Sequence, residues 1–134
     1  MALLESDPVV FARTATGDLA FPLRLVGGIE AVGIGCRTRV LMFRGEWFLD
    51  LDVGVPWLPT DNGRVAERDA ILGQRFDDVK VRAAFLRELL TCPGVLDVPI
   101  LRASFVGETR ELSVSWTVRT VFGDTPLDTV TRTI

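Results

Sequence analysis

Residues 77–122 read DDVKVRAAFLRELLTCPGVLDVPILRASFVGETRELSVSWTVRTVF, and this stretch decides the fold. Its first part predicts a helix over 79–90, because apolar residues recur every three or four positions. One apolar stripe consists of Val79, Ala83, Leu86 and Leu90, and Val81, Phe85 and Leu89 widen it. Asp77 or Asp78 is a suitable N-cap, and Cys-Pro-Gly at 92–94 ends the helix. The pattern is typical of a helix that packs through a broad apolar arc.

The remainder of the stretch predicts a β-hairpin. Residues 95–106 and 111–122 read as strands, and Gly107 to Arg110 connect them. In the second strand the apolar positions Leu112, Val114, Trp116 and Val118 alternate with Ser113, Ser115 and Thr117. A turn at 123–126 leads into DTVTRTI, where Val130 and Ile134 share one face and threonines the other. We expect this last strand, 129–134, to pair outward through an open edge.

The first half of the chain predicts further elements around this unit. Residues 18–26 alternate as a strand, placed at an edge by Pro22. A helix follows, with one stripe that steps by three, four, four and three through Ile29, Val32, Cys36, Val40 and Phe43. Leu49, Leu51 and Val53 alternate with Asp50 and Asp52 and predict a short strand. Residues 58–76 read as a loop with one helical turn at 66–72.

These elements together predict an α+β fold. The expected architecture is a small, mainly antiparallel sheet with two principal helices packed on one face. Residues 1–17 read as an N-terminal arm and 18–134 as one domain, since 134 residues match the usual size of a single domain. With 48% apolar and 25% charged residues, the composition is that of a globular protein.

Several chemistries are excluded by the composition. The chain has no histidine, so His-based triads and imidazole metal sites are ruled out. Cys36 and Cys92 are the only cysteines and form no CxxC pair, which rules out a structural zinc site and favours free thiols in a reducing cytosol. The net charge of −3 argues against a nucleic-acid partner. No apolar run is long enough to cross a membrane, so no membrane partner is expected.

The candidate motifs for chemistry are weak. The glycines at 28–35 miss both the dinucleotide and the phosphate-loop patterns, because Thr38 and Ile34 stand where those patterns need other residues. Asp50 and Asp52 do not form a calcium loop, because Val55 stands at the position of the turn glycine. We therefore expect no catalytic residue, cofactor or metal. A small metal- or carboxylate-dependent hydrolase that uses Asp50 and Asp52 remains the alternative.

An aromatic segment is the unusual feature of the chain. Trp47, Phe48 and Trp57 lie near Arg44 and Glu46, and Trp and Arg are typical anchors of protein interfaces. If these residues serve only the fold, Phe48 and Leu49 are expected in the core, and the alternative for Phe48 is a partner interface. For Trp57, which lies between Pro56 and a polar loop, core and interface stay open as alternatives.

The same segment carries a resemblance. Residues 44–50, RGEWFLD, with GVPW at 54–57 resemble a signature of small baseplate wedge proteins of contractile-tailed bacteriophages, relatives of the lysozyme-like wedge subunit that initiates the tail sheath. Cys-Pro-Gly-Val at 92–95 and the strand LSVSWTVRT are similar as well. The resemblance implies a structural subunit of the virion tail baseplate, assembled in the host cytoplasm. Its implied partners are other wedge subunits, tail hub or spike proteins and the tail sheath protein, to which its sheet offers strand pairing.

The predicted partner-binding residues come from two segments of this domain. They are Arg44, Glu46, Trp47, Phe48 and Trp57 in the aromatic segment, and Val130, Arg132 and Ile134 in the last strand.

Overall fold

The computed structural model describes residues 10–14, 18–21 and 24–133. Its largest element is a four-stranded antiparallel sheet. The hairpin strands β3 (Val95–Val106) and β4 (Glu111–Thr120) pair first. The opposite edge of β4 pairs with the short β5 (Gly123–Asp124) and with β6 (Asp128–Thr133). The hairpin and the last strand are therefore confirmed, and β4 lies at the centre of the sheet.

Two helices cover one face of this sheet, which confirms the predicted α+β class. The first helix, α1, spans Gly28–Leu41 and packs against α2, β4 and β6. The second, α2, spans Asp78–Thr91 and packs mainly against β3. Asp77 caps α2, since its side chain accepts a hydrogen bond from the Lys80 N–H at 3.3 Å. Apolar periodicity predicted both helices, and the cap at Asp77 predicted the start of α2.

The core lies between the helices and the inner face of the sheet. Alternation along β4 sends every second side chain inward. The fully buried large side chains come from α1, α2, β4 and the segment 55–57. They are Val32, Cys36, Val40, Val55, Trp57, Phe85, Leu89, Leu112, Val114, Trp116 and Val118. Cys36 and Cys92 are both buried free thiols.

The apolar arc of α2 is divided between the core and the surface. Val81, Phe85 and Leu89 are buried, but Val79, Ala83, Leu86 and Leu90 lie on the exposed side. The stripe that the sequence pattern placed first is therefore not the one that packs. The reason is geometric, because the arc is wider than the surface that the sheet and α1 can cover.

Two further strand predictions are wrong. Residues 49–53 form turns and not a strand, because the backbone folds back on itself there through a hydrogen bond from the Gly45 N–H to the Leu51 carbonyl at 2.9 Å. In place of a strand over 18–26, β2 is only Leu25–Val26, paired with β1 (Val10–Phe11). The Pro22 position lies outside the described residues, as does most of the arm 1–17.

One helical turn lies in the long loop. A 3₁₀ helix spans Glu67–Asp69, which confirms the turn predicted within 66–72. The loop returns to the core beside the aromatic segment, since Ile71 and Leu72 donate backbone hydrogen bonds to the carbonyls of Pro56 and Trp57.

Candidate interaction surface

The aromatic turn, residues 44–50, projects apolar side chains into solvent. The Asp50 N–H donates to the Trp47 carbonyl at 3.1 Å, and the Glu46 N–H to the Phe43 carbonyl at 3.3 Å. These turns leave Trp47 41%, Phe48 83% and Leu49 68% exposed. The prediction that Phe48 and Leu49 lie in the core is wrong, because a tight turn has no inner face to bury them. Exposed neighbouring apolar side chains are a feature of interaction sites.

The base of the aromatic turn is held by backbone pairing. Phe43 and Val55 form a parallel bridge, in which the Arg44 N–H donates to the Val55 carbonyl and the Val55 N–H to the Met42 carbonyl, both at 3.0 Å. Gly54 allows this close approach. It has a φ of +108°, and a Cβ there would lie 2.6 Å from the Met42 carbonyl oxygen. The glycine of GVPW is therefore required by geometry.

A buried carboxylate ties the aromatic turn to both helices. Glu88 on α2 accepts a hydrogen bond from the Gly54 N–H at 3.0 Å. Its oxygens also lie 3.7 Å from Arg39 Nε on α1 and 3.9 Å from Arg44 Nη2. The Arg44 Nε donates to the Gly54 carbonyl at 3.0 Å, so this side chain, which is a predicted partner-binding residue, braces the turn. The sequence did not identify Glu88 as a candidate. A signal was present, since Glu88 follows Phe85 by three residues and Phe85 follows Val81 by four, which places all three on the buried face of α2.

Burial perturbs the ionisation of this cluster. Desolvation raises the pKa of Glu88, against the opposing effects of the Gly54 N–H and the neighbouring arginines. Desolvation, followed by the charge of Arg87, lowers the pKa of Arg44. The Arg39 Nε and Arg44 Nη2 atoms are buried and make no hydrogen bond to a described residue. The cluster therefore combines hydrogen bonds through Gly54 with ion pairs to Arg39 and Arg44 that are too long to be hydrogen bonds.

Trp57 lies in the core. Its ring is fully buried, its Nε1 donates to the Val40 carbonyl at 2.8 Å, and its ring meets that of Phe85 edge to face at 5.5 Å. The sequence left core and interface as alternatives for Trp57, and its burial shows that it is a core residue. Any part of Trp57 in partner binding is indirect.

Arg132 connects the last strand to the aromatic segment. Its guanidinium lies 4.6 Å from the centre of the Trp57 ring and 5.2 Å from that of Phe43, and Nη2 donates to the Leu41 carbonyl at 3.4 Å. Desolvation lowers the pKa of Arg132. This arrangement combines a cation–π contact with partial burial of the side chain. No local sequence signal pointed to this contact between distant segments.

The edge strand β6 is anchored to β4 on one side, and no described strand pairs with its other side. Val130 is buried beneath it, and the threonine hydroxyls of Thr129 and Thr131 contact Ser115 and Ser113 at 2.9 and 3.2 Å. Within the part of the chain that the structure describes, β6 pairs with β4 alone. Ile134 lies outside the described residues.

An open groove of about 920 Å³ runs beside this edge. Residues of α1, the N-terminal segment around Arg13 and residues 127–129 line it. Arg37 of α1 crosses the groove and donates to Asp128 Oδ1 at 2.8 Å and to the Thr129 carbonyl at 3.0 Å. The structure thus brings a helix, a charged pair and a strand edge together.

The two aspartates of the hydrolase alternative lie at the surface. Asp50 accepts a hydrogen bond from the Asp52 N–H at 3.0 Å, and Asp52 pairs with Arg64 at 3.2 Å. Across residues 10–14, 18–21 and 24–133 no cluster of three or more His, Cys, Asp or Glu side chains is arranged to hold a metal. Over the same ranges no helix combines the length and apolarity needed to cross a bilayer.

Comparison with known proteins identifies the family. Among curated proteins there is no significant match. The model of the contractile injection system sheath initiator family matches residues 11–123, which includes the aromatic turn, both helices and the hairpin. This match covers most of the chain and agrees with a structural role in a contractile tail. The chain therefore belongs to the contractile injection system sheath initiators.

Proposed function

We propose that this protein is an inner wedge subunit of the baseplate and that it nucleates the tail sheath by strand addition at β6. The observation that carries the proposal is the state of the β6 edge, which pairs with no described strand other than β4. A bare edge presents backbone donors and acceptors to an incoming strand. The strand would come from the tail sheath protein.

The backbone direction of β6 supports this role. Thr129 donates its N–H to the Asp128 side chain at 2.8 Å, and its carbonyl accepts from Arg37, so neither group faces β4. Backbone groups alternate in direction along an antiparallel strand. Thr131 and Thr133 therefore also direct their N–H and carbonyl groups to the open edge.

The anchoring of β6 supports the same role. Val130 is in the core, and the Arg132 side chain is folded over Trp57 and Phe43. Both neighbours of Thr131 are therefore fixed before a partner arrives, which reduces the entropy lost on binding. In this proposal Val130, Arg132 and Trp57 position the edge, and the backbone of β6 makes the contact.

The other edge of the sheet is poorly suited to pairing. β3 carries Pro99 and register irregularities between Val95 and Ile100. Proline and bulges protect sheet edges from strand addition. β6 has neither feature over its paired residues. The comparison favours β6 as the edge that accepts a strand.

The aromatic turn is proposed to contact a neighbouring wedge, hub or spike subunit. Trp47 and Phe48 are exposed on a braced turn, with the carboxylate of Glu46 beside them. Large aromatic side chains in a rigid turn lose little conformational entropy on binding. Glu46, Trp47 and Phe48 are therefore the side chains of this segment that we expect to touch a partner directly.

The proposal is tested by blocking the open edge without disturbing the core. Thr131→Pro removes one outward N–H, and Thr131→Val serves as the matched control, since it keeps the N–H and replaces the hydroxyl, which both variants lose, with a methyl group. We expect both variants to fold. Particles with Thr131→Pro should lack an extended sheath in electron micrographs, and particles with Thr131→Val should have one. Normal sheaths on folded Thr131→Pro protein would contradict strand addition at β6.

A further inference from the structure

The exposed side of α2 carries an apolar stripe that none of the described residues covers. This outer stripe consists of Val79, Ala83, Leu86 and Leu90. Val79 is 69%, Leu86 39% and Leu90 46% exposed. Single exposed apolar residues are ordinary, but four on one face of a helix form a continuous surface. Such a surface on a folded subunit indicates a partner.

The spacing of the outer stripe points to a helix as the partner. Its members are separated by steps of four, three and four residues, which is the a/d spacing of a coiled-coil seam. The stripe extends over about three helical turns, at 3.6 residues per turn. The small Ala83 in its middle allows close approach of a second helix. A strand would not match this spacing, because its side chains repeat every second residue.

The charges beside the outer stripe define the chemistry of the partner. With the stripe at positions a and d, Lys80 and Arg87 fall at e and Arg82 at g, so these three flanking positions are basic. Lys80 Nζ donates to the carbonyl of Ala70 in the preceding loop at 2.7 Å, and Arg82 pairs with Asp78 of the same helix at 2.7 Å. The fourth flanking position is Leu89, which is buried. The flanks are basic although the whole chain has a net charge of −3.

A second copy of this chain does not fit as the occupant. Two α2 helices paired through their outer stripes would place Lys80, Arg82 and Arg87 against basic residues of the other copy. Like charges at e and g positions disfavour pairing. An occupant with acidic flanks would meet the opposite charge at the same positions.

We infer that the outer stripe of α2 docks an amphipathic helix of another subunit, with an apolar seam of three-four spacing and acidic residues beside it. This interface is distinct from strand addition at β6 and from the aromatic turn. It explains why α2 carries apolar residues over an arc wider than the core can use.

The test uses the full chain and two synthetic helical peptides. Both carry leucines at three-four spacing over about three heptads, one with glutamate and the other with lysine at e and g. Fluorescence anisotropy at low salt measures binding. We expect the glutamate peptide to bind at least tenfold more tightly than the lysine peptide, and added salt to weaken its binding.

Substitutions in α2 locate the interface. Leu86→Glu with Leu90→Glu should reduce binding of the glutamate peptide at least tenfold, and Val121→Glu, at an exposed apolar position outside α2, should leave it unchanged. Arg82→Glu with Arg87→Glu should reverse the preference, so that the lysine peptide binds more tightly. Circular dichroism checks that each variant is folded. Equal binding of the two peptides to the wild-type chain, or undiminished binding by folded Leu86→Glu/Leu90→Glu protein, would overturn the inference.

Discussion

Trp57 and Phe48 belong to one sequence signature but have opposite environments. Trp57 is fully buried and hydrogen-bonded, whereas Phe48 is exposed. We expect Trp57→Ala to lower the free energy of unfolding by about 3–5 kcal/mol, through the lost contacts and the cavity left behind. Phe48→Ala should change it by at most about 0.5 kcal/mol. Urea denaturation of both variants measures the difference, and similar losses at the two positions would contradict these assignments.

Glu88 makes stability depend on pH in a direction that can be worked out. Its pKa is raised in the folded state, so above about pH 4.3, the usual glutamate pKa, the folded protein binds more protons than the unfolded chain. The stabilisation from this proton is complete below the unfolded pKa. It is lost as the pH rises through the folded pKa.

Glu88→Gln tests this linkage. The variant cannot bind the proton, so its free energy of unfolding should fall less than that of the wild type as the pH rises through this window. Urea midpoints measured across the window for both proteins give the comparison. The exposed Glu108→Gln serves as the control. A wild type and a Glu88→Gln variant with parallel pH profiles would show that Glu88 ionises as it does in the unfolded chain.

Residue environments in the aromatic segment could be predicted only in part. Periodicity tells core from surface in a helix or strand, but residues 44–57 form turns in which no period applies. Trp47 and Trp57 therefore look equivalent in the sequence. The difference in their burial depends on the Phe43–Val55 bridge and on Arg132, which lies near the end of the sequence.

At the scale of elements, Arg37 joins α1 to the open edge of β6. Its guanidinium donates hydrogen bonds to the Asp128 carboxylate and to the Thr129 carbonyl. The side chains of Arg37 and Asp128 are each about one-third exposed. Arg37→Met should therefore cost at most about 1 kcal/mol in stability. The substitution frees the Thr129 carbonyl, which is a backbone acceptor on the outward side of β6. We therefore expect the variant to self-associate or bind an added strand more strongly than the wild type.

Arg119→Met is the matched control for this prediction. Arg119 forms a surface pair with Asp124 at 3.4 Å, on the same sheet but away from the β6 edge. Sedimentation velocity should show more association for Arg37→Met than for the wild type and for Arg119→Met. Equal association of all three proteins would mean that Arg37 does not shield the edge.

Helices and the hairpin were predictable because their signals are local. Asp77 caps α2 by accepting a hydrogen bond from the N–H of Lys80, three residues along the chain. The alternation along β4 follows from the pleat of a single strand. The buried half of the α2 arc was not predictable in the same way. Both halves are apolar, and only the position of β3 and α1 decides which half is covered.

At the scale of the whole molecule, the exposed features are backbone and apolar surfaces suited to assembly. These are the β6 edge, which pairs with no other described strand than β4, the exposed aromatic turn and the outer stripe of α2. Under the proposals made above, each of the three surfaces would meet a different neighbour. This agrees with membership of a family that initiates sheaths in contractile injection systems.

Sequence alone determined the α+β class, both helices, the hairpin and the family resemblance, because these depend on short-range periodicity, caps and a contiguous signature. Tertiary structure alone decided that Trp57 is buried, that Glu88 braces the aromatic turn, and that Arg132 and Arg37 hold the two sides of β6. These contacts join residues far apart in the chain. They form because packing brings distant residues within a few ångströms, and a one-dimensional pattern carries no record of that distance.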